Sequence, residues 1–282
     1  MHIFQPEELI DLWFREDIGE GDHTTLSTIP SGANGSASLL VKEGGIVAGV
    51  AMAELIFRKS DPGLKITVNL PDGTAILPGD IVLTAEGNVR SILQSERLVL
   101  NVMQRMSGIA TETSKYVKAL EGTGTRVLDT RKTTPGFRLM EKEAVRLGGG
   151  VNHRTGLYDM ILIKDNHIDF AGGIVQAIER AVQYRAEKQL DLQIEVEARS
   201  LEDVEKVLGC NRKVDRILLD NFTLDSTRQA VKIIDGRIET ESSGGITFKT
   251  LRAYAECGVD YISAGALTHQ IKSLDLSLKA DF

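Results

Sequence analysis

Residues 192–220, LQIEVEARSLEDVEKVLGCNRKVDRILLD, decide the fold class of this chain. Two short apolar runs, LQIEVE at 192–197 and RILLD at 216–220, enclose a segment whose apolar residues recur at helical spacing. Strands that alternate with helices in this way are typical of parallel β-α-β units. The stretch therefore predicts two parallel strands joined by a helix over 200–209.

The same alternation extends through the second half of the chain. Four further strand candidates are RVLDT at 126–130, MILIK at 160–164, RIETESS at 237–243 and DYISAG at 260–265. Helical stretches near 138–147, 173–188, 224–234 and 248–257 separate them. Six such strands predict an α/β fold whose parallel sheet is either open and doubly wound or closed into a barrel with fewer strands than usual.

The first half of the chain has a different character. All six prolines fall within its first 135 residues, and turn-rich segments separate short β-like runs at 38–41, 65–70 and 80–84. This pattern predicts a small sheet with one or two helices. Residues 91–121 then carry apolar residues at helical spacing, interrupted at Ser107-Gly108, which predicts a pair of helices and a domain boundary.

Composition restricts the classes of function. The 282 residues carry a net charge of −7, which argues against a nucleic-acid or membrane-surface partner. No apolar stretch approaches the roughly 18 residues of a membrane span. The acidic start lacks the parts of a secretory signal, and the two cysteines lie too far apart to suggest a disulfide framework or a cysteine zinc site. We therefore expect a cytoplasmic protein.

Polar residues follow every predicted strand of the second half. The six clusters are DTRK at 129–132, KDNH at 164–167, EVE at 195–197, DN at 220–221, SSGG at 242–245 and SAGA at 263–266. The C-terminal ends of parallel strands meet at one edge, where active sites form, so these clusters are expected to surround one cavity. One such cluster is compatible with an ordinary loop, but six in succession favour a site.

The segment 126–167 reverses the charge of the chain. It holds eight Lys or Arg against five Asp or Glu, a net charge of +3. Lys142 and Arg146 fit a solvated helix surface. Five other basic side chains flank strand ends or a glycine loop: Arg131, Lys132, His153, Arg154 and Lys164. Arginine can bind a carboxylate or phosphate through two hydrogen bonds, so the segment suits a ligand with several negative charges.

Carboxylates and glycines complete the predicted cavity. Glu197 and Asp220 end neighbouring strands and could hold sugar hydroxyls, bind Mg²⁺, act in acid–base chemistry or simply neutralise basic neighbours. Glu195 points to the same side of its strand as Glu197, and an ion-pairing role fits one of the two. The glycine-rich segments 241–246 and 263–267 suit a phosphate, because glycine lets backbone N–H groups approach an anion.

Two histidines, His153 and His167, are alternative metal ligands. The neighbouring sequence contains no cysteine and no HExxH pattern, so it does not support a zinc site. A basic pocket is the better interpretation of this segment.

Eight stretches form a specific set of motifs that spans nearly the whole chain in order. They are EDIGEGDHTT, SERLVLNVMQRMSGIAT, LDTRKTTPGFR, GGGVNHRTGLYDMILIKDNH, IEVE, ILLDNF, ESSGGI and VDYISAGALTH. In these motifs the sequence resembles the nicotinate-nucleotide pyrophosphorylases, the decarboxylating quinolinate phosphoribosyltransferases. The resemblance implies that quinolinate and 5-phosphoribosyl 1-pyrophosphate are converted with Mg²⁺ into nicotinate mononucleotide, pyrophosphate and CO2, a step of NAD biosynthesis.

The resemblance also implies an architecture. An N-terminal α/β sandwich domain would cover residues 1–108, and an incomplete parallel α/β barrel of six to seven strands would cover 109–269. The tail 270–282 would pack back on the first domain. The family is at least dimeric, and a homodimer or a dimer-based higher oligomer is therefore expected.

Residue roles follow from the same resemblance. Quinolinate and the phosphates would be bound by Thr130, Arg131, Lys132, His153, Arg154 and Lys164. Lys132, Glu197 and Asp220 would be catalytic, and the two carboxylates would serve the ribose hydroxyls and Mg²⁺. The 5′-phosphate would be held by Ser243, Gly244, Gly245, Gly265, Ala266 and Leu267. Arg97 would reach into the site of the neighbouring subunit.

Two other functions are compatible with such a scaffold. One is that of a paralogue, either a molybdenum-transport-associated relative or a nicotinate phosphoribosyltransferase that does not decarboxylate. The other is a barrel protein that only binds a phosphorylated metabolite. The intact LIKDNH motif with Lys164 and the NHR motif with Arg154 favour the quinolinate enzyme.

Overall fold

The computed structural model of this chain describes residues 6–210 and 214–281. The helices are α1 Pro6–Ile18, α2 His23–Thr28, α3 Val50–Ser60, α4 Val89–Ala119, α5 Arg138–Leu147, α6 Asp165–Ala171, α7 Ile174–Glu187, α8 Leu201–Gly209, α9 Leu224–Ile234, α10 Leu251–Ala255 and α11 Ala266–His269. The strands are β1 Asn34–Val41, β2 Gly45–Ile46, β3 Lys65–Val68, β4 Ala75–Ile76, β5 Ile81–Asn88, β6 Arg126–Leu128, β7 Ile161–Ile163, β8 Ile194–Ala198, β9 Arg216–Asp220, β10 Glu239–Ser243, β11 Tyr261–Ser263 and β12 Leu276–Ala280.

The chain forms two compact units. Unit 1 contains Met1–Ser114, Thr134–Gly149 and Gln270–Phe282, and unit 2 contains Lys115–Thr133 and Gly150–His269. None of the helices within the described part of the chain is long and apolar enough to cross a membrane.

Unit 1 is built on an antiparallel sheet with the strand order β12-β1-β5-β3. The predicted runs at 38–41, 65–70 and 80–84 correspond to β1, β3 and β5. Alternate residues of β1, such as Leu39 and Val41, are buried, and Leu39 pairs with Leu278 of β12. Because β12 pairs with β1, the end of the chain completes the sheet of this unit.

The helix α4 corrects one sequence expectation. Residues 89–119 form one continuous helix, so the predicted interruption at Ser107-Gly108 is wrong. Gly108 instead permits a close approach of two segments, because an added Cβ would overlap the backbone carbonyl oxygen of Lys272. Ser107 is equally buried, and its hydroxyl accepts a hydrogen bond from the Ala48 N–H at 2.9 Å. Small residues here serve packing within unit 1 and do not end the helix.

A second correction concerns α5 of unit 1. Arg146 is exposed and pairs with Glu143, as a solvated helix surface predicts. Lys142, in contrast, is only 3% exposed. The helix buries Met140, Ala144 and Val145 together with Glu141 and Lys142, so its buried face is wider than the charge pattern suggests.

Unit 2 confirms the predicted α/β fold. All six expected strands form one parallel sheet in the order β6-β11-β10-β9-β8-β7, and helices lie between them along the chain. The first strand, β6, pairs with the last, β11, while Val151 makes a parallel bridge to Leu128 on the other side of β6. Among the described residues no pairing joins Val151 to β7. The sheet is therefore an incomplete barrel.

The strand register decides which side chains share a face of this sheet. Glu195 lies opposite Arg216, and Arg216 lies opposite Glu239. Side chains alternate along a strand, so Glu197, Asp220 and Ser243 lie on that same face, nearer the C-terminal strand ends. This face of the sheet thus carries two levels of polar residues. Glu195, Arg216 and Glu239 lie further from the C-terminal strand ends, and Glu197, Asp220 and Ser243 lie nearer to them.

Candidate active site

The basic side chains follow β6 and β7: Arg131, Lys132 and Arg154 lie between these two strands, and Lys164 comes directly after β7. Arg131, Lys132 and Lys164 are exposed, whereas Arg154 is half-buried. Burial lowers the pKa of Arg154, and the charge of Arg131 lowers it further. Arg131 and Arg154 are therefore close enough to repel each other. An anion bound by both guanidinium groups would relieve this repulsion.

The backbone at Lys132 is fixed on both sides. Its N–H donates to Thr130 Oγ1 at 3.1 Å, and its carbonyl oxygen accepts from Thr268 Oγ1 at 2.8 Å. The side chain passes close to Gly265, where an added Cβ would lie 2.9 Å from Lys132 Cδ and 3.0 Å from His269 Nε2. Lys132, which follows β6, and the imidazole of His269, which follows β11, therefore lie close to the same point at the strand ends.

The carboxylates Glu197 and Asp220 lie at the ends of the neighbouring strands β8 and β9. Burial and the charge of Asp220 raise the pKa of Glu197, and the charge of Lys164 opposes this effect. Glu197 Oε1 accepts the Asp165 N–H at 3.3 Å, and Asp220 Oδ2 accepts from Asn221 Nδ2 at 2.7 Å. Two carboxylates that repel each other beside a lysine can bind a cation or stabilise developing positive charge.

Two glycine turns follow β10 and β11. Gly244 has φ +93° and Gly245 has φ +61°, both in the left-handed region, and their backbone N–H groups donate to no acceptor among the described residues. Ser243 is half-buried beside them. At the second turn Ala266 is half-buried but Leu267 is fully buried, so Leu267 can offer a ligand only its backbone.

Gly244 should not tolerate a side chain. An added Cβ would overlap Asn221 Oδ1 and lie 2.9 Å from Asn221 N, which itself donates to Ser243 O at 2.9 Å. We expect Gly244→Ala to destabilise the protein by ~1–3 kcal/mol through backbone strain. Displacing Asn221 should also raise the KM of a phosphorylated substrate by about tenfold or more.

Gly236→Ala is the matched control for this prediction. Gly236 also has a positive φ, of +67°, but an added Cβ meets nothing within 4 Å. Urea unfolding and steady-state kinetics should show loss of stability in both variants and a raised KM only in Gly244→Ala. An equal KM in the two variants would contradict a ligand-binding role for the turn.

His153 is more buried than the other basic residues of the predicted pocket. Its side chain is 7% exposed, with Nε2 2.9 Å from Glu195 Oε2 and 3.4 Å from Glu241 Oε2. The ion-pairing role predicted for one of Glu195 and Glu197 is thus confirmed for Glu195. Burial disfavours a charged ring, whereas the two carboxylates favour one and raise the pKa of His153. Because Nδ1 accepts the Arg154 N–H, the second proton has no place there, and the ring shown is neutral with its proton on Nε2.

The three side chains could in principle hold a metal ion, because one ligand atom from each lies within 4.8 Å of the others. The hydrogen bonds of His153 argue against this. The Arg154 N–H donates to His153 Nδ1 at 2.7 Å, so a ring with one proton carries it on Nε2. A metal-bound histidine normally has the reverse arrangement and donates from its second nitrogen. His167, the other candidate, accepts the Lys164 N–H through its Nδ1 at 3.0 Å and caps α6.

Sequence reasoning placed Asn221 in the cluster after β9 but gave it no role, and it did not single out His269. His269 lies beside Lys132 and Gly265, and Asn221 supports both Asp220 and the turn at Gly244. Both residues follow strand ends, Asn221 in the motif ILLDNF and His269 in VDYISAGALTH. This position could have identified them as candidate site residues. Arg97 is exposed on α4 in unit 1.

Comparison with known proteins gives one consistent result. A family model described as "Quinolinate phosphoribosyl transferase, C-terminal domain" matches residues 109–279, and the corresponding N-terminal domain model matches 22–107.

Individual relatives cover nearly the whole chain. A chloroplastic "Nicotinate-nucleotide pyrophosphorylase [carboxylating]" of Arabidopsis thaliana is 46% identical over 97% of this chain and 82% of its own. A "Probable nicotinate-nucleotide pyrophosphorylase [carboxylating]" of Bacillus subtilis is 41% identical over 99% of this chain and 94% of its own. The crystal structure of NadC from Streptococcus pyogenes matches with a TM-score of 0.92 and 39% identity, covering 100% of this chain and 99% of that one.

Proposed function

The chain belongs to the quinolinate phosphoribosyltransferase family, and on this premise we propose how the residues of unit 2 divide the work of the reaction. The enzyme is a pentosyltransferase of NAD biosynthesis. It joins quinolinate to the ribose of 5-phosphoribosyl 1-pyrophosphate and yields nicotinate mononucleotide, pyrophosphate and CO2.

Quinolinate is bound by the basic cluster after β6. The main support for this assignment is the closeness of Arg131 to Arg154, whose pKa the charge of Arg131 lowers. Two guanidinium groups close to each other complement a ligand that has two adjacent carboxylates. Lys132, after β6, and Lys164, after β7, add exposed positive charge. In a protein of net charge −7, such a focused cluster is what attracts a dianion.

The phosphoribosyl substrate lies across the remaining strand ends. The free N–H groups of Gly244 and Gly245 receive the 5′-phosphate, and the turn at Gly265–Leu267 lies at the end of the adjacent strand. Glu197 and Asp220 face the ribose and its hydroxyls. This placement brings the ribose between the carboxylates and the bound quinolinate.

The exchange of bonds at the ribose depends on how the protein stabilises the charges that develop there. As pyrophosphate departs, positive charge develops on the ribose ring, and Glu197 and Asp220 stabilise it while Lys132 stabilises the leaving group. The quinolinate nitrogen forms the new bond to the ribose. Once quaternised, that nitrogen stabilises by its positive charge the electron pair that remains on the adjacent ring carbon when the carboxylate departs as CO2. A proton from water then takes the place of the lost carboxylate on that carbon. The protein supplies mainly orientation and electrostatic stabilisation.

Mg²⁺ fits the carboxylate pair. Glu197 and Asp220 are oxygen donors, and the charge of Asp220 helps to raise the pKa of Glu197, a repulsion that a divalent cation relieves. When bound there with the substrate, the ion would neutralise pyrophosphate charge and so assist its departure.

Removal of Mg²⁺ should therefore stop turnover. With excess chelator we expect no product, and full activity should return when Mg²⁺ is added back. Glu197→Gln should raise the Mg²⁺ concentration that gives half-maximal rate by about tenfold, because it removes one anionic donor. Glu202→Gln, an exposed change in the same unit, should leave that concentration unaltered. Full activity in chelator would contradict the role given to the two carboxylates.

We also propose a homodimer, or an assembly of dimers, in which Arg97 of one subunit completes the site of the other. The exposure of Arg97 on α4 supports this, since the side chain is available to a partner.

A substrate comparison separates this function from the alternatives. The purified protein is incubated with 5-phosphoribosyl 1-pyrophosphate and either quinolinate or nicotinate. We expect nicotinate mononucleotide and CO2 from quinolinate only. Product from nicotinate alone would indicate the non-decarboxylating paralogue, and tight binding without turnover would indicate a binding protein.

A further inference from the structure

A buried charged cluster lies beneath the proposed active site, on the same face of the sheet. It consists of His153, Glu195, Glu241 and Arg216, and is called the buried cluster below. Glu195 is fully buried, Glu241 is 1% exposed and Arg216 is 8% exposed. Arg216 Nη1 lies 3.3 Å from Glu241 Oε2, and its guanidinium stacks 4.2 Å from the centre of the Tyr261 ring.

Stability does not explain this cluster. Removing charges from water costs free energy that their mutual attraction seldom recovers, and apolar side chains of similar size often stabilise a protein as well or better. Within the described residues, neither oxygen of Glu195 accepts a hydrogen bond, and Glu241 Oε1 and Arg216 Nε also have no hydrogen-bond partner. His153 Nε2 lies within ion-pair distance of Glu195 Oε2, at 2.9 Å. The carboxylates therefore depend on the charge of Arg216 and on the nearby Nε2–H of His153, and the arrangement points to a role in positioning.

The cluster is connected to the pocket through the backbone of residues 153 and 154. The His153 N–H donates to Asp129 Oδ1 at 2.8 Å, and the Arg154 N–H donates to His153 Nδ1 at 2.7 Å. On its other side the ring faces the two carboxylates through Nε2. The orientation of the His153 ring thus determines where the Arg154 backbone lies, and Arg154 is one of the two arginines proposed to bind quinolinate.

We propose that Glu195, Glu241 and Arg216 are positioning residues that keep a proton on His153 Nε2 and hold its ring in place, so that Arg154 is set for the dicarboxylate substrate. None of the three touches substrate in this assignment, because each is buried below the strand ends. The proposal rests on the function given above for Arg154. It assigns the buried cluster to quinolinate binding and not to the phosphoribosyl substrate.

Glu241→Gln is the direct test, because it preserves shape and removes one carboxylate charge. We expect the KM for quinolinate to rise about tenfold, whereas kcat and the KM for 5-phosphoribosyl 1-pyrophosphate change less than about twofold. Glu239→Gln is the matched control. Glu239 is the other carboxylate paired with Arg216, at 3.2 Å from Nη2, but its side chain is 46% exposed.

Nitrogen NMR of the histidine rings provides a readout that is independent of activity. In the wild-type protein His153 Nε2 should carry a proton at pH 7, and Glu241→Gln should lower the pKa of His153 by about 1 because a neighbouring negative charge is lost. Glu195→Gln is a second variant with the same expected effect. Circular dichroism establishes which variants are folded.

The outcomes separate cleanly. An unprotonated Nε2 in the wild-type protein overturns the proposal without any variant. Folded Glu241→Gln or Glu195→Gln protein with unchanged quinolinate KM and unchanged His153 titration also overturns it, as does an equal rise in both KM values. If the wild-type protein fails to turn over quinolinate, the proposed function fails, and the nitrogen spectra still decide whether the cluster controls His153.

Discussion

Lys132→Ala is expected to lower kcat/KM by about 10³-fold or more while the protein remains folded. Removing a single positioned group that stabilises a developing charge typically costs 10²- to 10³-fold in rate, and Lys132 is also proposed to bind substrate. The backbone at Lys132 is held by Thr130 and by Thr268 Oγ1, and neither bond involves the lysine side chain. Steady-state kinetics beside thermal unfolding measure the two effects separately.

A matched control shows whether the lower kcat/KM is specific to Lys132. Lys232 is an exposed lysine on α9 of the same unit, away from the strand ends, and Lys232→Ala should retain wild-type activity. The interpretation of Lys132 as a ligand-binding residue would be wrong if Lys132→Ala lost its activity only in proportion to its folded fraction. A Lys132→Ala enzyme with near-normal kcat/KM would contradict it equally.

Mixing two inactive variants should restore activity. Arg97→Ala removes a side chain proposed to act in the partner's site, and Lys132→Ala removes one that acts in its own. A mixed dimer then contains one site with both changes and one site with neither. Random exchange of subunits should recover about a quarter of wild-type activity, since half of the dimers are mixed and each has one intact site.

Subunit exchange must be verified independently, for example by native mass spectrometry of subunits that differ in mass. Arg90→Ala is unsuitable as a control, because Arg90 donates to backbone carbonyls of Leu26 and Ile29. Arg58→Ala is suitable, since Arg58 is an exposed residue of unit 1 whose ion pair within the described ranges is with Glu54, at 3.2 Å. It should be active alone and should need no rescue. Mixed Arg97→Ala and Lys132→Ala dimers without activity would exclude a shared site.

The architecture of unit 2 could be predicted because its signals are local. Each strand is a short apolar run, each helix has apolar residues at helical spacing, and LQIEVE and RILLD became β8 and β9 within two residues. Parallel topology then placed the polar residues after each strand at one edge of the sheet. The location of the candidate site followed from this rule alone.

Features that depend on contacts distant in sequence could not be predicted in the same way. Gly108 was predicted to interrupt a helix. The structure shows instead that a glycine is needed there because the backbone of Lys272, far along the chain, packs against it. Lys142 resembled a surface residue, and the packing of α5 buries it. The pairing of His153 with Glu195 and Glu241 joins three separate segments, and no spacing in the sequence reveals it. The assignments of individual site residues, the oligomeric state and the cytoplasmic location stay predictions.

The most direct test of the account follows carbon from the substrate. Quinolinate labelled with ¹³C in the carboxylate next to the ring nitrogen is incubated with the enzyme, 5-phosphoribosyl 1-pyrophosphate and Mg²⁺, and carbon NMR is recorded during turnover. We expect labelled CO2 and bicarbonate to appear in step with unlabelled nicotinate mononucleotide, one for one, and both products to form about 10³-fold more slowly with Lys132→Ala. Label retained in the nucleotide, or no product from folded wild-type protein, would contradict the account.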